Sequence, residues 1–231
     1  MQSSFIARCL SRPWLPAIAM CWLAIGPAAA QEIGKLYATR PPPGSVFIRV
    51  VSIGDAKAGT RLHINARDLP IADNDAASRY RAVHADAPIK LSIDGAAIGE
   101  NVTFTPDRFY TLVVAREGAK WNSYAIDEGQ GGNASDLKAQ LRFFNLTPGC
   151  EATLRIAEGP TVFDAVAFTA VKSRTINPVE AQLEATCGGS HASLKLPQLR
   201  SGDHYSLFLT QAGGKSALSG QFDETEPYRD R

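Results

Sequence analysis

Ser190 and His191, adjacent in "GGSHAS", are the first residues in this chain that could do chemistry. Acyl transfer needs a nucleophile, a base within hydrogen-bonding reach and an oxyanion hole. Adjacent residues on an extended strand point to opposite faces, so this serine and histidine cannot act together. We interpret them as part of a turn. The sequence also contains neither a Gly-x-Ser-x-Gly elbow nor a Gly-Asp-Ser, so it predicts no catalytic residues and no cofactor site.

Metal binding is also weakly supported. His63, His84 and His204 have no ligand spacing such as His-x-His. Cys150 and Cys187 lie 37 positions apart with no motif around them. In an exported protein such a pair most often forms a disulfide, and the alternative is a reactive thiol or metal pair. We predict the disulfide, no free thiol, and no metal site.

The N-terminal segment predicts export. Arg8 and Arg12 precede the uncharged stretch "PWLPAIAMCWLAIG", and small residues follow up to Ala30. This is the pattern of a secretory signal peptide over residues 1–30, with cleavage before Gln31. The alternative is an uncleaved membrane anchor, but Pro16 interrupts a run that is shorter than the roughly 20 residues a span needs. We therefore expect an exported protein.

Charge excludes one class of partner. The formal net charge is +1, and removal of Arg8 and Arg12 with the signal lowers it to −1. Because neutralised phosphates supply most of the affinity of nucleic-acid binders, a near-neutral chain argues against nucleic acid as a partner.

The elements that must position any site are short β-type runs separated by turn residues, without long helical periodicity. The predicted strands are 45–53, 60–65, 79–84, 88–93, 108–116 and 119–126, then 138–146, 151–157, 161–171, 178–186, 192–196 and 203–211. This spacing indicates an all-β chain of two tandem antiparallel, immunoglobulin-like β-sandwich modules. A lead-in at 31–44 precedes module 1 at 45–127.

The Gly-rich stretch "EGQGGNASD" at 128–136 is typical of a flexible linker. Module 2 is predicted at 137–221, followed by a solvated charged tail at 222–231. Because each module has its own strand set, we expect fragments 35–127 and 137–231 to fold independently.

The two halves repeat one another. Arg49 aligns with Arg142 at an offset of 93, and Tyr110 aligns with Tyr205 at an offset of 95. Markers in the same order indicate an internal duplication, for which chance similarity between strands is the alternative. Each tyrosine follows a turn and begins an apolar strand, so both are predicted to form structural tyrosine corners.

Partner-binding residues leave no motif, and two sets are candidates. Arg49 and Arg142 lie in mid-strand, where a long stem can cover apolar surface while the head reaches water or a partner. Tyr37 and the prolines Pro41, Pro42 and Pro43 form an extended segment that a partner could bind. A packing role for the arginines and a stiff lead-in for the prolines are the alternatives.

Several of these segments resemble one family. "KLYATRPPPGSVFIRVV" at 35–51, "DRFYTLVV", "LRFFNLTPG" and "SRTINPVEAQL" at 173–183, with "INPV" the most diagnostic, resemble in order the periplasmic alginate O-acetylation accessory family AlgF. The resemblance implies a non-catalytic adaptor between a membrane-bound O-acyltransferase and periplasmic polysaccharide O-acetyltransferases. Alginate and cellulose are both candidate polymers.

Two other classes compete with the adaptor. An exopolysaccharide-binding module would display aromatic side chains on a sheet face, and Trp121, Tyr124 and Phe144 are the candidates. Trp121 and Tyr124 are three positions apart, so they alternate faces on a regular strand. An acetyltransferase or esterase with an unrecognised site is the other competitor.

Overall fold

Every regular element in the part of the chain that the computed structural model describes is a β-strand. The described residues are 40–53, 61–71, 75–98, 103–118, 120–130 and 138–227, and they form sixteen strands. The prediction of an all-β chain is confirmed. Within these ranges, no helix has the length and apolar character needed to cross a membrane. Tyr37 and the predicted signal peptide lie outside the described residues.

Module 1 contains the first eight strands. They are β1 (Ser45–Ile53), β2 (Leu62–Ile64), β3 (Arg67–Asp68), β4 (Arg81–His84), β5 (Leu91–Ile93), β6 (Ala96–Ala97), β7 (Phe109–Glu117) and β8 (Lys120–Gly129). Module 2 contains β9 (Ala139–Asn145), β10 (Ala152–Ile156), β11 (Thr161–Val166), β12 (Ala170–Ile176), β13 (Gln182–Cys187), β14 (Ser190–Lys195), β15 (His204–Ala212) and β16 (Lys215–Phe222).

The strands form four sheets of four, two in each module. The inner sheet of module 1 has the order β4-β1-β7-β8, and its outer sheet has the order β3-β2-β5-β6. In module 2 the inner sheet is β12-β9-β15-β16, and the outer sheet is β11-β10-β13-β14. Adding eight to each strand number converts one module into the other. The duplication therefore includes all eight strands of each half.

Strand register confirms the sequence alignment. In β1 and β7, Ile48 lies opposite Tyr110, and in β9 and β15 Leu141 lies opposite Tyr205. These are the residue pairs that the offsets of 93 and 95 relate. Both pairings are parallel, so the inner sheets are mixed rather than wholly antiparallel as predicted.

The predicted strands overlap every described strand except β3, β6 and β16, and the bounds of β1 were predicted correctly. The predicted strand 161–171 is in fact β11 and the start of β12, because the chain turns at Ala167–Thr169 and enters the other sheet. The hairpin strand β16 was also missed, although Gly213 and Gly214 both have positive φ, as a two-residue hairpin turn requires.

The sheets stack in four layers, with the two inner sheets in the middle. One apolar core lies between the sheets of module 1 and another between those of module 2. A third apolar cluster lies between the inner sheets and includes Val51 and Val113 from module 1 and Phe144 and Phe208 from module 2. Strands β1 and β9 are therefore buried on both faces, which explains their nearly continuous apolar runs.

Both predicted module boundaries need correction. Strand β8 continues to Gly129, and Glu128, assigned to the flexible linker, is buried in the middle of the stack. The tail predicted to be solvated begins with Phe222 at the end of β16, and residues 223–226 then contact module 1. Glu128 and Asp223 therefore lie at the contact between the inner sheets rather than in solvent.

Candidate functional site

Arg49 and Arg142 lie at the contact between the two modules. Each stands mid-strand on the face of its inner sheet that points toward the other module, and the exposed fractions are 0% and 5%. The interpretation that these heads reach water is therefore wrong. Because both guanidinium groups are buried, neither arginine is available to an external partner on this surface.

Two equivalent carboxylates neutralise the two arginines. Arg49 lies 2.6 Å from Asp223 and 3.2 Å from Glu128, while Arg142 lies 3.0 Å from Asp223 and 3.4 Å from Glu128. Tyr110 and Tyr205 pair with residues 127 and 222, so Glu128 and Asp223 occupy the same position in their modules. Each arginine thus contacts one carboxylate from its own module and one from the other. We call these four residues the charge layer.

Two equivalent hydroxyl groups complete this arrangement. Thr111 lies opposite Arg49 and Ser206 lies opposite Arg142 in the parallel strand pairs. Thr111 donates to Glu128 at 2.6 Å, and Ser206 donates to Asp223 at 2.7 Å. Arg49 donates to both hydroxyl oxygens, at 2.8 Å and 2.9 Å. The buried polar groups therefore satisfy one another, as groups removed from water must.

Aromatic residues make the charge layer asymmetric. The Arg49 guanidinium carbon lies 4.5 Å from the ring centre of Tyr80 and 5.0 Å from those of Phe144 and Phe208. The Tyr80 hydroxyl donates to Glu128 at 2.8 Å. At the positions equivalent to Phe144 and Phe208, module 1 has valines, Val51 and Val113. Cation–π contacts therefore surround Arg49 more closely than Arg142.

The electrostatics keep Arg49, Arg142 and Asp223 charged. Burial alone would lower the pKa of Arg49, but Glu128, Tyr80 and Asp223 outweigh it and raise the pKa above its ordinary value. The pKa of Arg142 is raised against burial in the same way. Burial would raise the pKa of Asp223, yet the two arginines hold it below 3.8. These groups act as fixed charges, and none is suited to exchange protons near neutral pH.

The C-terminal segment crosses from module 2 to module 1. The Tyr80 amide donates to the Glu224 carbonyl at 2.8 Å, and the Glu226 amide donates to the Tyr80 carbonyl at 2.7 Å. These bonds form a parallel bridge between Tyr80 and Thr225, beside β4. Arg81 binds the Glu226 carboxylate through two nitrogens, at 2.7 Å and 2.9 Å. Residues 224–226 of the predicted solvated tail thus form a bridged segment that joins the modules.

The two predicted tyrosine corners differ. The Tyr110 hydroxyl accepts a hydrogen bond from the Thr105 amide at 3.3 Å, five residues upstream, which is a corner of the predicted kind. The Tyr205 ring instead covers Gly220 on the neighbouring strand β16 and meets the edge of Phe222 at 5.1 Å. A side chain at Gly220 would lie 2.6 Å from this ring. Tyr205 therefore packs as a structural residue by close contact with a backbone.

The serines and histidines do not form an arrangement for acyl transfer among the described residues. Ser190 and His191 alternate on β14, so the prediction that they form a turn was wrong about the element. Ser45 lies 3.4 Å from Nδ1 of His84, but this serine is wholly buried and no substrate could reach its hydroxyl. His204 is half-buried beside the charge layer. No group of three or more His, Cys, Asp or Glu residues within the described ranges could hold a metal ion.

The predicted disulfide is confirmed. Cys150 lies in the turn between β9 and β10, and Cys187 ends β13, with their Cα atoms 5.6 Å apart. The bond joins the chain that leaves the inner sheet of module 2 to its outer sheet. It is thus a structural staple within one module.

The other candidate binding residues are largely engaged in packing. Phe144 is buried, Tyr124 meets Phe168 of module 2 edge to face at 5.5 Å, and Trp121 packs against the core of module 1. Pro41 is buried, and the Pro42 carbonyl accepts the Ser45 amide at 2.9 Å in a turn that leads into β1. The aromatic platform is therefore absent from these three positions, and Pro43 is the exposed proline of its segment.

Sequence reasoning identified both arginines but missed Glu128, Asp223 and the two hydroxyl groups. A usable signal was present, because the offset of 95 that relates Tyr110 to Tyr205 also relates Thr111 to Ser206 and Glu128 to Asp223. An acid and a hydroxyl repeated at the offset of the two tyrosines, in halves that also repeat an arginine at an offset of 93, indicate a shared polar cluster. Tyr80 has no such signal, since its equivalent in module 2 is a serine at position 173.

The fold and the charge layer define a class of protein, the duplicated β-sandwich whose two halves are joined face to face through buried ion pairs. Comparison with known families is more specific. Residues 20–204 match the model of the family described as "Alginate O-acetyl transferase AlgF", and the chain belongs to this family. No curated protein sequence matches the chain.

Solved structures similar to this one include the C-terminal domain of AlgF from P. aeruginosa. That domain is 34% identical, and the match covers 37% of this chain and 98% of the domain with a TM-score of 0.32. A proposed cell adhesion protein from Bacteroides ovatus is 12% identical, with coverage of 80% and 98% and a TM-score of 0.24. A family 26 carbohydrate-binding module from Eubacterium rectale Amy13K in complex with maltoheptaose is 10% identical, with coverage of 79% and 98% and a TM-score of 0.24.

Proposed function

We propose that this protein is a non-catalytic periplasmic adaptor required for O-acetylation of an exopolysaccharide. Alginate is the first candidate polymer, because the family description names it, and acetylated cellulose is the second. The partners in this proposal are periplasmic O-acetyltransferases and the membrane-bound O-acyltransferase that supplies acetyl groups. The family match is the single observation that carries the proposal.

The use of the polar residues supports an adaptor. Three buried charged groups, Arg49, Glu128 and Asp223, pair with one another and join the modules. Acyl transfer needs a nucleophile that a substrate can approach. The rigid four-layer stack would instead hold two module surfaces in a fixed relation, which is what a protein that positions two partners needs.

The adaptor proposal is tested with the purified protein and with a gene deletion. Purified protein should neither hydrolyse nor transfer acetyl groups from an acetyl ester. Deletion of the gene should sharply reduce polymer acetylation while polymer synthesis continues, and cell fractionation should place the chain in the periplasm. Normal acetylation in the deletion strain would overturn the proposal.

A transferase is the second candidate function. The family description names one, and Ser45 and His84 are a serine and a histidine in contact, although the serine is buried. If this pair were catalytic, Ser45→Ala and His84→Ala would each abolish turnover of an acetyl ester. The adaptor proposal expects no turnover from the unmodified protein, so the two candidates are separated by the first measurement.

A further inference from the structure

Strands β4 and β12 are equivalent edges of the two inner sheets. Strand β4 is the first strand of its sheet and pairs with β1, and β12 occupies the same place beside β9. An edge strand presents amide and carbonyl groups that can pair with another extended segment. The C-terminal segment pairs beside β4, whereas residues 172–175 of β12 are exposed.

The segment leading into β4 is already paired with an acidic extended segment. Thr225 forms a parallel bridge with Tyr80, and the flanking carboxylates of Glu224 and Glu226 project from the tail two positions apart. Glu224 lies 2.9 Å from Arg79, and Glu226 lies 2.7 Å from Arg81. A basic-x-basic edge thus binds an acidic-x-acidic strand.

Strand β12 has the same charge pattern. At the offset of 93, Lys172 and Arg174 occupy the positions of Arg79 and Arg81. Strand register supports this equivalence, since Arg81 lies opposite Ile48 and Arg174 lies opposite Leu141. Residues 172–175 are all exposed. The edge that corresponds to the tail-binding edge of module 1 is therefore basic and open to solvent.

The contacts that these two side chains make are weak or exposed. The Lys172 ammonium group donates to the Asp164 carbonyl, and Arg174 donates to the Val162 carbonyl at 3.5 Å. Both acceptors belong to β11, the adjacent edge of the outer sheet. Each basic side chain keeps further donors, and the surface location makes either contact easy to exchange for a carboxylate.

We propose that the β12 edge is a docking site for an extended acidic segment of a partner protein, with carboxylates two residues apart. The segment adds as a parallel strand, as the tail does beside β4, and its carboxylates bind Lys172 and Arg174. A polypeptide fits this edge because it supplies backbone donors and acceptors as well as carboxylates on one face at a spacing of about 6.7 Å. This inference rests on the adaptor role proposed above, to which it adds the chemistry of one partner.

A peptide with the sequence of residues 221–229, QFDETEPYR, is the probe. Its carboxylates have the required spacing, and the tail already bound beside β4 is held there by its high effective concentration. We expect the peptide to shift the backbone amide NMR signals of residues 170–176 in the full chain. Replacing both central glutamates of the peptide by glutamine should weaken binding about tenfold, and 0.5 M salt should also weaken it.

The protein variant that tests the site is K172E/R174E. It should lower peptide affinity at least about tenfold, while K195E/K215E, which reverses two exposed lysines on the opposite edge strands of module 2, should leave it unchanged. Both variants should keep the far-UV circular dichroism spectrum and melting temperature of the unmodified chain, because all four side chains are exposed.

Several results of the peptide experiments would overturn the inference. They are no binding at millimolar peptide, equal binding to K172E/R174E, shifts confined to residues 77–84, and a size increase showing exchange of the tail between two copies. Preferential binding of an acidic oligosaccharide at residues 172–175 would also contradict it.

In cells, K172E/R174E should lower polymer acetylation. Full acetylation by this variant in a strain where gene deletion reduces acetylation would reject the docking site alone, whereas a deletion without effect would reject the adaptor role.

Discussion

Arg49 and Asp223 are 174 positions apart in the chain, yet Nη1 of the arginine lies 2.6 Å from Oδ1 of the aspartate. Both side chains are buried between the two inner sheets. A contact of this kind makes the stability of each module depend on the other, because an unpaired buried charge is far more costly than the pair.

Replacing Arg49 should therefore destabilise the whole protein. Arg49→Met removes the cation that contacts both carboxylates while leaving them buried, and we expect the free energy of unfolding to fall by about 3–5 kcal/mol. Urea denaturation would measure the loss. The matched control is Arg155→Met, because this arginine forms an exposed ion pair with Glu184 and its removal should cost less than about 1 kcal/mol. Similar losses in both variants would show that the buried charge layer stabilises the fold no more than an exposed ion pair does.

The charge layer also changes the expectation that the modules fold independently. Fragment 35–130 would leave Arg49 without Asp223, and fragment 137–231 would expose the stacked rings of Phe144 and Phe208. We expect neither fragment alone to melt cooperatively at the temperature of the full chain. An equimolar mixture should recover a cooperative transition at higher temperature, because association restores the ion pairs. Two fragments that each melt as the full chain does would show independent modules.

Gly220 should not tolerate a side chain. A Cβ atom there would lie 2.6–2.9 Å from the ring of Tyr205, and the ring is held between strands. Gly220→Ala should lower the free energy of unfolding by about 1–3 kcal/mol, as overpacking does. Ser219→Ala on the same strand is the control and should have a small effect. If Tyr205→Leu makes the alanine harmless, the clash with this ring is the cause.

His204 predicts a pH dependence of stability. Burial, and then Arg142, lower its pKa below 6.5 in the folded protein. As the pH falls below 6.5, the unfolded chain takes up a proton before the folded one does, so the free energy of unfolding should decrease until the lower folded pKa is passed. His204→Asn should remove this step, whereas His191→Asn on exposed β14 should retain it. Melting curves between pH 5 and pH 8 would test this, and an unchanged slope in the His204 variant would contradict it.

The disulfide between Cys150 and Cys187 should stabilise module 2 by constraining the unfolded chain. For a closed loop of this length the chain-entropy estimate is about 4 kcal/mol, and native disulfides typically contribute about 2–4 kcal/mol. The double variant C150S/C187S should therefore melt at lower temperature, and the native protein should show no reactive thiol after denaturation without reductant. Detection of two thiols would contradict the bond.

How much the sequence reveals depends on whether a residue's role is local. Strand β1 and the repeat that relates Ile48 to Leu141 and Tyr110 to Tyr205 were predictable, since alternation and repetition can be found by comparing positions along the chain. The parallel pairing of these strands was not predicted, because it depends on which strands become neighbours in the sheet. The disulfide followed from the cysteine count. The role of Arg49 in the buried ion pairs was not predictable from its own strand. An arginine in the middle of a strand is equally compatible with a side chain whose guanidinium group reaches water.

Glu128 and Asp223 were not predicted as buried residues because of the composition of the sequence around them. Glu128 stands in a glycine-rich stretch and Asp223 in an acidic one, and both compositions ordinarily indicate solvent-exposed chain. Their burial depends on the approach of two sheets that have no sequence proximity. The repeat offset of 95 relates Glu128 to Asp223, so the sequence did indicate that the two acids are equivalent. This becomes visible only when the alignment of the two halves is extended from the apolar strands to the polar residues that follow them.

Separation of Arg49 from Asp223 along the chain also has a consequence for biogenesis. The ribosome synthesises Arg49 174 residues before Asp223, the carboxylate that lies closest to it. Module 1 therefore lacks this ion pair until synthesis of the chain is almost complete. The contact between the inner sheets is therefore completed late, and a chain that ends before position 223 leaves Arg49 and Arg142 without this carboxylate.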